Sequence, residues 1–533
     1  MNEAQDPGRQ SPSGVVTAGQ WQRLHPLSAL FVAAQLLRHV ALPVLAAVVF
    51  GRGSGWEVWA AVPLGVTAIW SVLQASRYRY ALQGTELVIH EGVLGRRVRH
   101  VPLARIHNTS RLRKLPHRLL GVVEVHLESA AGGKPEAVMK VLGLPAAMAL
   151  EEALKGRVRA SPTEAAAPEG AAPAPTLATS PAGTPRLLHR LAPLDIVRLG
   201  LISNRGMVLV GTVFAAVAQK PELHRRFFGW LSVPMAWARD AFKRLFESGH
   251  WLWLAAEIAL LVLAFLLFVR LLSVVLAFFR YHGFRLEQDG EKLLVHRGLS
   301  TQVTASARLP RLQRWELVET WLHRRFGRCR LAVSVAGHDS HEQDHGLDAG
   351  GRFDELAPIA TPAEAQALLQ RCLPALDWAG LRWQPLAPQA FWRQLWGAGR
   401  FLAVALLVMV GVELGLGGPI GAAGLAAGAA VLALGLTAYC RAWVRFAAYA
   451  ECGELLLFRH GVLTRRWVVV AGPRLQQLSL YSSALDRSLG LCHLRGDSQG
   501  SSKTSRALDI PCLPVAEAER LRARLWQQVM QPY

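Results

Sequence analysis

Cysteine is scarce in this 533-residue sequence, which contains six. The six form neither close pairs nor the spacings typical of metal ligands, which indicates reduced, buried side chains and domains that face the cytosol. A secretory signal peptide is not evident either, because the first 26 residues are polar and lead directly into apolar sequence without a small-residue cleavage pattern.

Signatures of catalysis are missing as well. The sequence has no nucleophile elbow, no phosphate-binding loop, no zinc-protease signature and no paired carboxylates at repeated positions. We therefore expect a protein that is not an enzyme and has no cofactor. The alternative is an active site assembled from titratable groups that are distant in the chain, which a sequence does not reveal.

Acidic residues are few, since 38 Asp and Glu stand against 59 Lys and Arg, while 51% of all residues are hydrophobic. A chain that is both basic and apolar indicates a membrane protein beside an anionic surface. The positive charge would also fit contact with nucleic acid, but nucleic-acid readers seldom carry long apolar runs. We expect the lipid bilayer as a partner and no nucleic acid.

The sequence contains one unit three times. In each copy, a short strand-like stretch of apolar and β-branched residues ends in a glycine: Gly92, Gly298 and Gly461. Thirteen residues later stands an arginine followed by an aliphatic residue, and sixteen residues beyond it comes a second glycine. These positions are Arg105, Arg311 and Arg474, followed by Gly121, Gly327 and Gly490. Both spacings hold in all three copies, so the chain is a triplicated module.

Apolar segments precede each module. In the first copy, two apolar blocks are joined by a glycine-rich turn, and each is about long enough to span a bilayer as a helix. We predict three transmembrane hairpins, with six spans or with four spans and two re-entrant arms. Each copy also has a proline twelve residues before an arginine (Arg38, Arg205 and Arg400), which predicts a short interfacial helix, a snorkelling arginine and then the span.

Composition and the repeats together set the domain boundaries. Nine alanines and six prolines in residues 160–185 predict an extended, mobile linker. Aromatic and basic residues at helical spacing predict an amphipathic surface helix within an insertion in the second hairpin. The predicted division is an N-terminal tail (1–26), hairpin 1 (27–76), module 1 (77–157), the linker (158–185), hairpin 2 (186–279) with its amphipathic insertion (220–250), module 2 (280–376), hairpin 3 (377–440) and module 3 (441–533).

Charge predicts the orientation. The hairpin turns at 51–55 and 415–419 carry one arginine between them, whereas every module is rich in arginine. The positive-inside rule therefore places the three modules and both termini in the cytosol.

A known family shares this arrangement. A membrane hairpin followed by Glu-Leu-x-Val/Leu-x-x-x-Gly-Val/Leu, an Arg-Ile/Leu-Gln-like step, Leu/Phe-Gly and a closing helix resembles the bacterial pleckstrin-homology-like (PH-like) domain. Three tandem units resemble the YdbT/YdbS group of bacterial membrane proteins. Copy one departs from the pattern, because His107 stands where the other copies have Gln313 and Gln476.

The resemblance implies a fold and a location but no reaction. The fold is an α+β membrane protein with three hairpins, each followed by a bent, seven-stranded antiparallel sheet that a C-terminal helix caps. The location is the bacterial inner membrane, with the modules in the cytoplasm and a companion PH-like membrane protein as a further partner.

Clusters of basic residues in the modules are candidate contacts for lipid headgroups, since a cation near an anionic leaflet contributes about 1 kcal/mol. The candidates are Arg96, Arg97, Arg99, Arg111, Arg113, Lys114, Arg324, Arg325, Arg465 and Arg466. The ordinary excess of cations on the cytosolic side explains these clusters equally well. The arginine repeated in each copy has two interpretations too, a phosphate contact or a structural brace for the sheet.

An eleven-residue insertion in the second module contains His338, His341 and His345 among acidic residues. Histidine and carboxylate are ligands for zinc or nickel. Such a stretch between strands is more often a solvated turn, so we predict no metal and keep these histidines as the alternative.

These observations predict a multi-pass membrane protein that acts as a non-enzymatic scaffold for lipid surfaces or proteins, with a role in envelope maintenance. The alternative is a transporter or channel subunit whose spans form a pathway. That function would draw on Glu257 and Glu413, which lie in or near the spans.

Overall fold

The structure is a computed structural model. It describes residues 21–23, 77–83, 86–92, 97–102, 106–129, 137–150, 185–218, 251–336, 353–416, 421–498 and 506–530, with single positions at 66, 69, 70, 73, 229, 236 and 240. Several predictions fall on residues outside this set, namely nearly all of hairpin 1, the linker up to residue 184, nearly all of the insertion 220–250, Arg96, Arg105, and the three histidines His338, His341 and His345.

Each module has seven strands: one before its apolar segment, three directly after that segment and three more beyond those. The strands of module 1 are β1 (Gln22–Arg23), β2 (Arg79–Gln83), β3 (Glu86–Glu91), β4 (Arg97–Pro102), β5 (Ile106–Arg113), β6 (Val122–Ser129) and β7 (Ala137–Gly143). Those of module 2 are β8 (Arg186–Arg190), β9 (Arg285–Asp289), β10 (Lys292–Arg297), β11 (Gln302–Arg308), β12 (Leu312–Thr320), β13 (Cys329–Val335) and β14 (Glu355–Ala360). Those of module 3 are β15 (Gln384–Pro385), β16 (Ala448–Cys452), β17 (Leu455–His460), β18 (Thr464–Ala471), β19 (Leu475–Tyr481), β20 (Leu491–Ser498) and β21 (Leu508–Pro514).

Helices connect and close these strands. They are α1 (Leu115–Leu119), α2 (Pro193–Ile202), α3 (Arg205–Ala218), α4 (Trp251–Tyr281), α5 (Trp321–Arg325), α6 (Pro362–Cys372), α7 (Ala390–Leu416), α8 (Gly421–Phe446), α9 (Ala484–Ser488) and α10 (Val515–Val529). A short helix thus stands between the fifth and sixth strand of every module, and α6 and α10 close the second and third modules. Residues 144–150 are helical at the corresponding place in the first module.

Local chemistry accounts for the closing helices. Thr361 caps α6 in a reciprocal pair with Glu364, and a proline occupies the first turn, where its missing N–H is not needed. α10 buries Ala518, Leu521 and Leu525, which share one helical face, against its module.

The sheets do not coincide with the modules. Four antiparallel sheets are described, with the orders β1–β2–β3–β4, β7–β6–β5–β11–β10–β9–β8, β14–β13–β12–β18–β17–β16–β15 and β19–β20–β21. Each seven-stranded sheet therefore takes three strands from one module and four from the next. The resemblance implied seven strands per module, and each module supplies seven, but hydrogen bonding continues across the module boundaries.

The hydrophobic core follows the same division. Trp315 of β12 and Leu331 of β13 are fully buried in one cluster with Leu457 and Val469, which belong to the third module. Modules 2 and 3 consequently share a core as well as a sheet.

The membrane segments are partly as predicted. Within the described residues, Ala255–Tyr281 and Gly424–Phe446 are long and apolar enough to cross a membrane, and α2 with α3 forms a third candidate that bends by 51° at a short break. The break lies where the sequence predicted the end of a short interfacial helix and a snorkelling Arg205. In the structure the guanidinium of Arg205 donates to the hydroxyl of Tyr281 at 3.0 Å. α7 runs through Arg400 without a break.

Candidate interaction surface at the module junctions

Two antiparallel strand pairs join neighbouring modules, and we call them the first and second junction. β5 pairs with β11 at the first junction, and β12 pairs with β18 at the second. Leu112 lies opposite Val303 in one, and Val318 lies opposite Arg466 in the other. The repeat spacing makes Leu112 the counterpart of Val318, and Val303 the counterpart of Arg466. Both junctions therefore have the same register.

One arginine of the short helix bridges each junction. Arg118 in α1 donates to the backbone carbonyl oxygen of Leu299 at 2.9 Å, and Arg324 in α5 donates to that of Val462 at 2.9 Å. The two donors occupy one repeat position, and the two acceptors directly follow the module glycine. A charged donor on a carbonyl is a strong hydrogen bond, so this contact adds to the strand pairing that holds the next module in place.

In the third module, the arginine repeated in each copy also reaches across a junction. Arg474 donates to the backbone carbonyl oxygen of Leu312 in the preceding module, and its guanidinium lies 4.9 Å from the ring centroid of Trp315. Both contacts are favourable for a guanidinium. In the third module this arginine is a structural brace, directed at the neighbouring module.

Side chains differ between the two junctions. In the second, Glu316 accepts from Arg466 at 3.1 Å and from Arg314 at 3.0 Å. In the first, β5 carries Arg111 and Arg113 opposite the neutral residues Thr304 and Gln302. A junction thus forms either with ion pairs or between a basic and a neutral strand.

Both junctions lie beside the ends of membrane spans. The backbone N–H of Leu299 donates to the carbonyl of Phe279 in the last turns of α4. At the second junction, the guanidinium of Arg465 lies 4.5 Å from the ring centroid of Phe446, the last residue of α8. The short helices α1 and α5, which bond to these sites, are consequently held close to the membrane boundary.

The short helices expose apolar side chains there. Leu115 and Leu119 of α1 are 54% and 87% exposed, and Trp321 of α5 is 57% exposed. Exposed Leu and Trp next to arginine is the composition of a surface that enters a headgroup layer.

A buried charge cluster connects the spans to the second module. Glu355, at the start of β14, accepts from the Tyr281 hydroxyl at 2.8 Å, from Arg297 at 3.2 Å and from Arg330 at 2.6 Å. Burial opposes the ionisation of Glu355, but Arg330 and Arg297 outweigh it and hold its pKa well below the ordinary value. The carboxylate therefore stays charged and ties the end of α4 to the sheet.

Comparison with known proteins agrees with this architecture. The model of the bacterial PH domain family matches residues 30–158, 232–373 and 402–529, one match for each copy. The chain belongs to the bacterial PH domain family. It is also similar to the UPF0699 transmembrane protein YdbT of Bacillus subtilis (strain 168), with 22% identity over 337 residues that cover 61% of this chain. The chain spans 64% of the length of that relative. No solved structure gave a significant match.

The bacterial PH modules use several of the predicted headgroup residues at their junctions. Arg111 and Arg113 on β5, and Arg465 and Arg466 on β18, lie on the joining strands, and Arg324 bonds across the second junction. Arg325 is exposed, and Lys114 is half-buried at the start of α1. Arg97 and Arg99 are on β4, and Arg96 lies outside the described residues.

Other functional residues were missed from the sequence. Glu355 and Arg297 are 58 residues apart in the chain, and no sequence motif links them. The available signal was the acid pair Asp354–Glu355 directly before the apolar run of β14, because a carboxylate at the start of a fully buried strand needs a partner.

Proposed function

We propose that the protein is a multi-pass scaffold that holds its three bacterial PH modules against the inner leaflet of a bacterial cell membrane. There the modules bind anionic lipid headgroups and catalyse no reaction. One observation carries the proposal: α1 and α5 combine arginine with exposed apolar side chains at the ends of the spans.

Electrostatic attraction to an anionic surface supports this role, which needs no deep binding pocket. Each cation near an anionic surface contributes about 1 kcal/mol, and several act together when the modules are held in place. Trp321 and Leu119 add interfacial burial on the same helices.

The charge distribution supports a cytoplasmic placement of the modules. The modules are rich in arginine, whereas the hairpin turns at 51–55 and 415–419 carry one arginine between them.

The use of the repeated residues supports a non-catalytic role. Gly298 and Gly461 form turns with positive φ, and Arg474 braces a junction. What the copies share thus serves the fold and its assembly. A companion PH-like membrane protein is a further partner in this proposal, consistent with a role in envelope maintenance.

Hydrogen exchange in nanodiscs tests the lipid contact. We expect the amides of α1 and α5 to exchange more slowly in discs containing anionic lipid than in discs of neutral lipid. Trp321→Ala combined with Arg325→Gln should remove the difference at α5, and Arg522→Gln, an exposed arginine on α10, should preserve it. Equal exchange in both discs would contradict lipid binding.

Proteolysis of inverted membrane vesicles tests the orientation. A protease added outside such vesicles should cut the segment 158–185, and in right-side-out vesicles the segment should be protected. The reverse pattern would place the modules on the other side of the membrane.

A further inference from the structure

A junction is a pair of two strands, and the first and third modules each have a further strand of a kind that forms such a pair. Among the strands that the structure describes, β4 stands at one end of the order β1–β2–β3–β4, and β19 stands at one end of β19–β20–β21. β4 is the counterpart of β11 and β18, and β19 is the counterpart of β5 and β12. These two kinds of edge already pair twice within the chain, in one register.

The side chains of β4 fit β19 better than they fit a second β4. β19 reads Leu-Gln-Gln-Leu-Ser-Leu-Tyr, without the charged residues or proline that protect exposed sheet edges. β4 carries Arg97 and Arg99, so a β4–β4 pair would bring like charges together, which is unfavourable. β4 against β19 joins a basic strand to a neutral one, as β5 and β11 do at the first junction.

Arg487 points to the same arrangement. It is the third-module counterpart of Arg118 and Arg324, the two arginines that bridge the junctions. Arg487 is exposed, and it contacts the backbone carbonyl oxygen of Ser482 in its own module at 3.4 Å. This is a long contact compared with the 2.9 Å bonds of its two counterparts.

We propose that a second copy of this chain docks on this edge. β4 of one copy pairs with β19 of the next in the register of the two junctions, which sets Val98 opposite Leu480. Arg487 then stands at this contact in the place from which Arg118 and Arg324 bridge the two junctions. The two surfaces differ, so the contact is heterologous, and copies join head to tail in a ring or an open row. The proposal does not depend on lipid binding.

Disulfide cross-linking of the full-length protein in liposomes tests the register. Val98→Cys and Leu480→Cys proteins, reconstituted together and oxidised, should give a covalent dimer. Each single variant alone should give no more than the wild type, whose six native cysteines set the background. The double variant should give a ladder of dimers and larger species.

A matched pair inside the chain tests whether a disulfide can form at this register position. Arg111 lies opposite Thr304 at the first junction, in the place that Val98 and Leu480 would occupy. Arg111→Cys with Thr304→Cys should link the two fragments that result from proteolysis within residues 158–185. If this control forms its disulfide while the mixed single variants give no dimer, the proposal is overturned. A double variant that cross-links only within one monomer would overturn it as well, in favour of closure within one chain.

Association measurements test Arg487. Arg487→Ala should weaken self-association in detergent about tenfold, the effect of losing one hydrogen bond of about 1.4 kcal/mol, and leave the thermal midpoint unchanged. The matched control is Arg522→Ala, which removes an exposed arginine on α10 and should preserve association. Unchanged association of Arg487→Ala would overturn the proposed register.

Discussion

The guanidinium of Arg324 donates a hydrogen bond of 2.9 Å to the backbone carbonyl oxygen of Val462, across the boundary between the second and third modules. Arg118 makes the same bond to Leu299 one module earlier. Because one repeat position closes two boundaries in the same way, the bond belongs to how these modules assemble.

Arg324→Ala should loosen the second junction. The variant loses one charge-assisted hydrogen bond, so we expect the free energy of unfolding to fall by about 1–2 kcal/mol and the amides of β18 to exchange faster. Denaturant unfolding in detergent measures the first effect and hydrogen exchange the second. The exposed neighbour Arg325 provides the control, since Arg325→Ala should change stability by less than about 0.5 kcal/mol. Equal losses in the two variants would refute a role for the bridge.

Glu355→Gln should destabilise the second module strongly. Glu355 and Arg297 are both buried, and removing the carboxylate takes away the partner that Arg297 shares with Arg330, which leaves Asp354, 3.3 Å from Arg297, as the neighbouring counter-charge. Breaking a buried pair of this kind costs about 3–5 kcal/mol. The pKa of Glu355 is depressed, so its contribution is present above about pH 4.5 and is lost as the pH falls below that value. Unfolding at neutral pH measures the loss. Glu291→Gln, at an exposed turn, is the control, and a comparable loss there would argue against the buried cluster as the cause.

Acidification should destabilise the protein through His323. Burial, with a further contribution from Arg330, lowers the pKa of His323 to about 4. An unfolded histidine has a pKa of about 6.5, so the unfolded state binds more protons between these values. Stability is therefore retained above about pH 6.5 and lost toward pH 4, with a loss of about 1 kcal/mol from this residue by about pH 5.5.

The comparison that isolates His323 is unfolding of the wild type and His323→Gln at about pH 7.5 and about pH 5.5. The variant should lose less stability between the two conditions. His460, whose pKa is also lowered to about 4, contributes equally to both proteins. Identical pH dependence of the two would show that His323 is not responsible.

The two repeated glycines should differ in their tolerance of alanine. Gly298 has a φ of +106°, and a Cβ there would lie 1.9 Å from the carbonyl oxygen of Thr301. Gly327 has a φ of +60° in open space. Gly298→Ala should therefore prevent normal folding of the second module, whereas Gly327→Ala should cost about 1–2 kcal/mol. Limited proteolysis and near-UV circular dichroism distinguish the outcomes, and a well-folded Gly298→Ala protein would contradict the expected clash.

The repeat could be read from the sequence because its spacings are local. Gly298, Arg311 and Gly327 each mark a turn or a strand boundary, and three copies with equal spacing define the module without a structure. The closing helix at Pro362 was predictable in the same way, from a proline at the first helical position followed by Ala, Glu and Leu.

Strand partners between modules were not predictable. The alternation of apolar and polar residues in β5 or β12 shows which face of the strand is buried. It does not show which other strand pairs with its edge. Arg474 illustrates this limit, because the sequence left a phosphate contact and a brace open, and its acceptor is the carbonyl of Leu312 in another module. The cluster around Glu355 was missed for the same reason, since its cations come from distant strands.

Sheets that cross module boundaries change what counts as the folding unit. Residues 280–376, the second module as predicted from the sequence, would as a separate fragment lose the strands that pair with β11 and β12 together with part of the shared core. Such a fragment should aggregate through the two unpaired strand edges. In the intact protein, heat or denaturant should unfold the second and third modules in one cooperative transition.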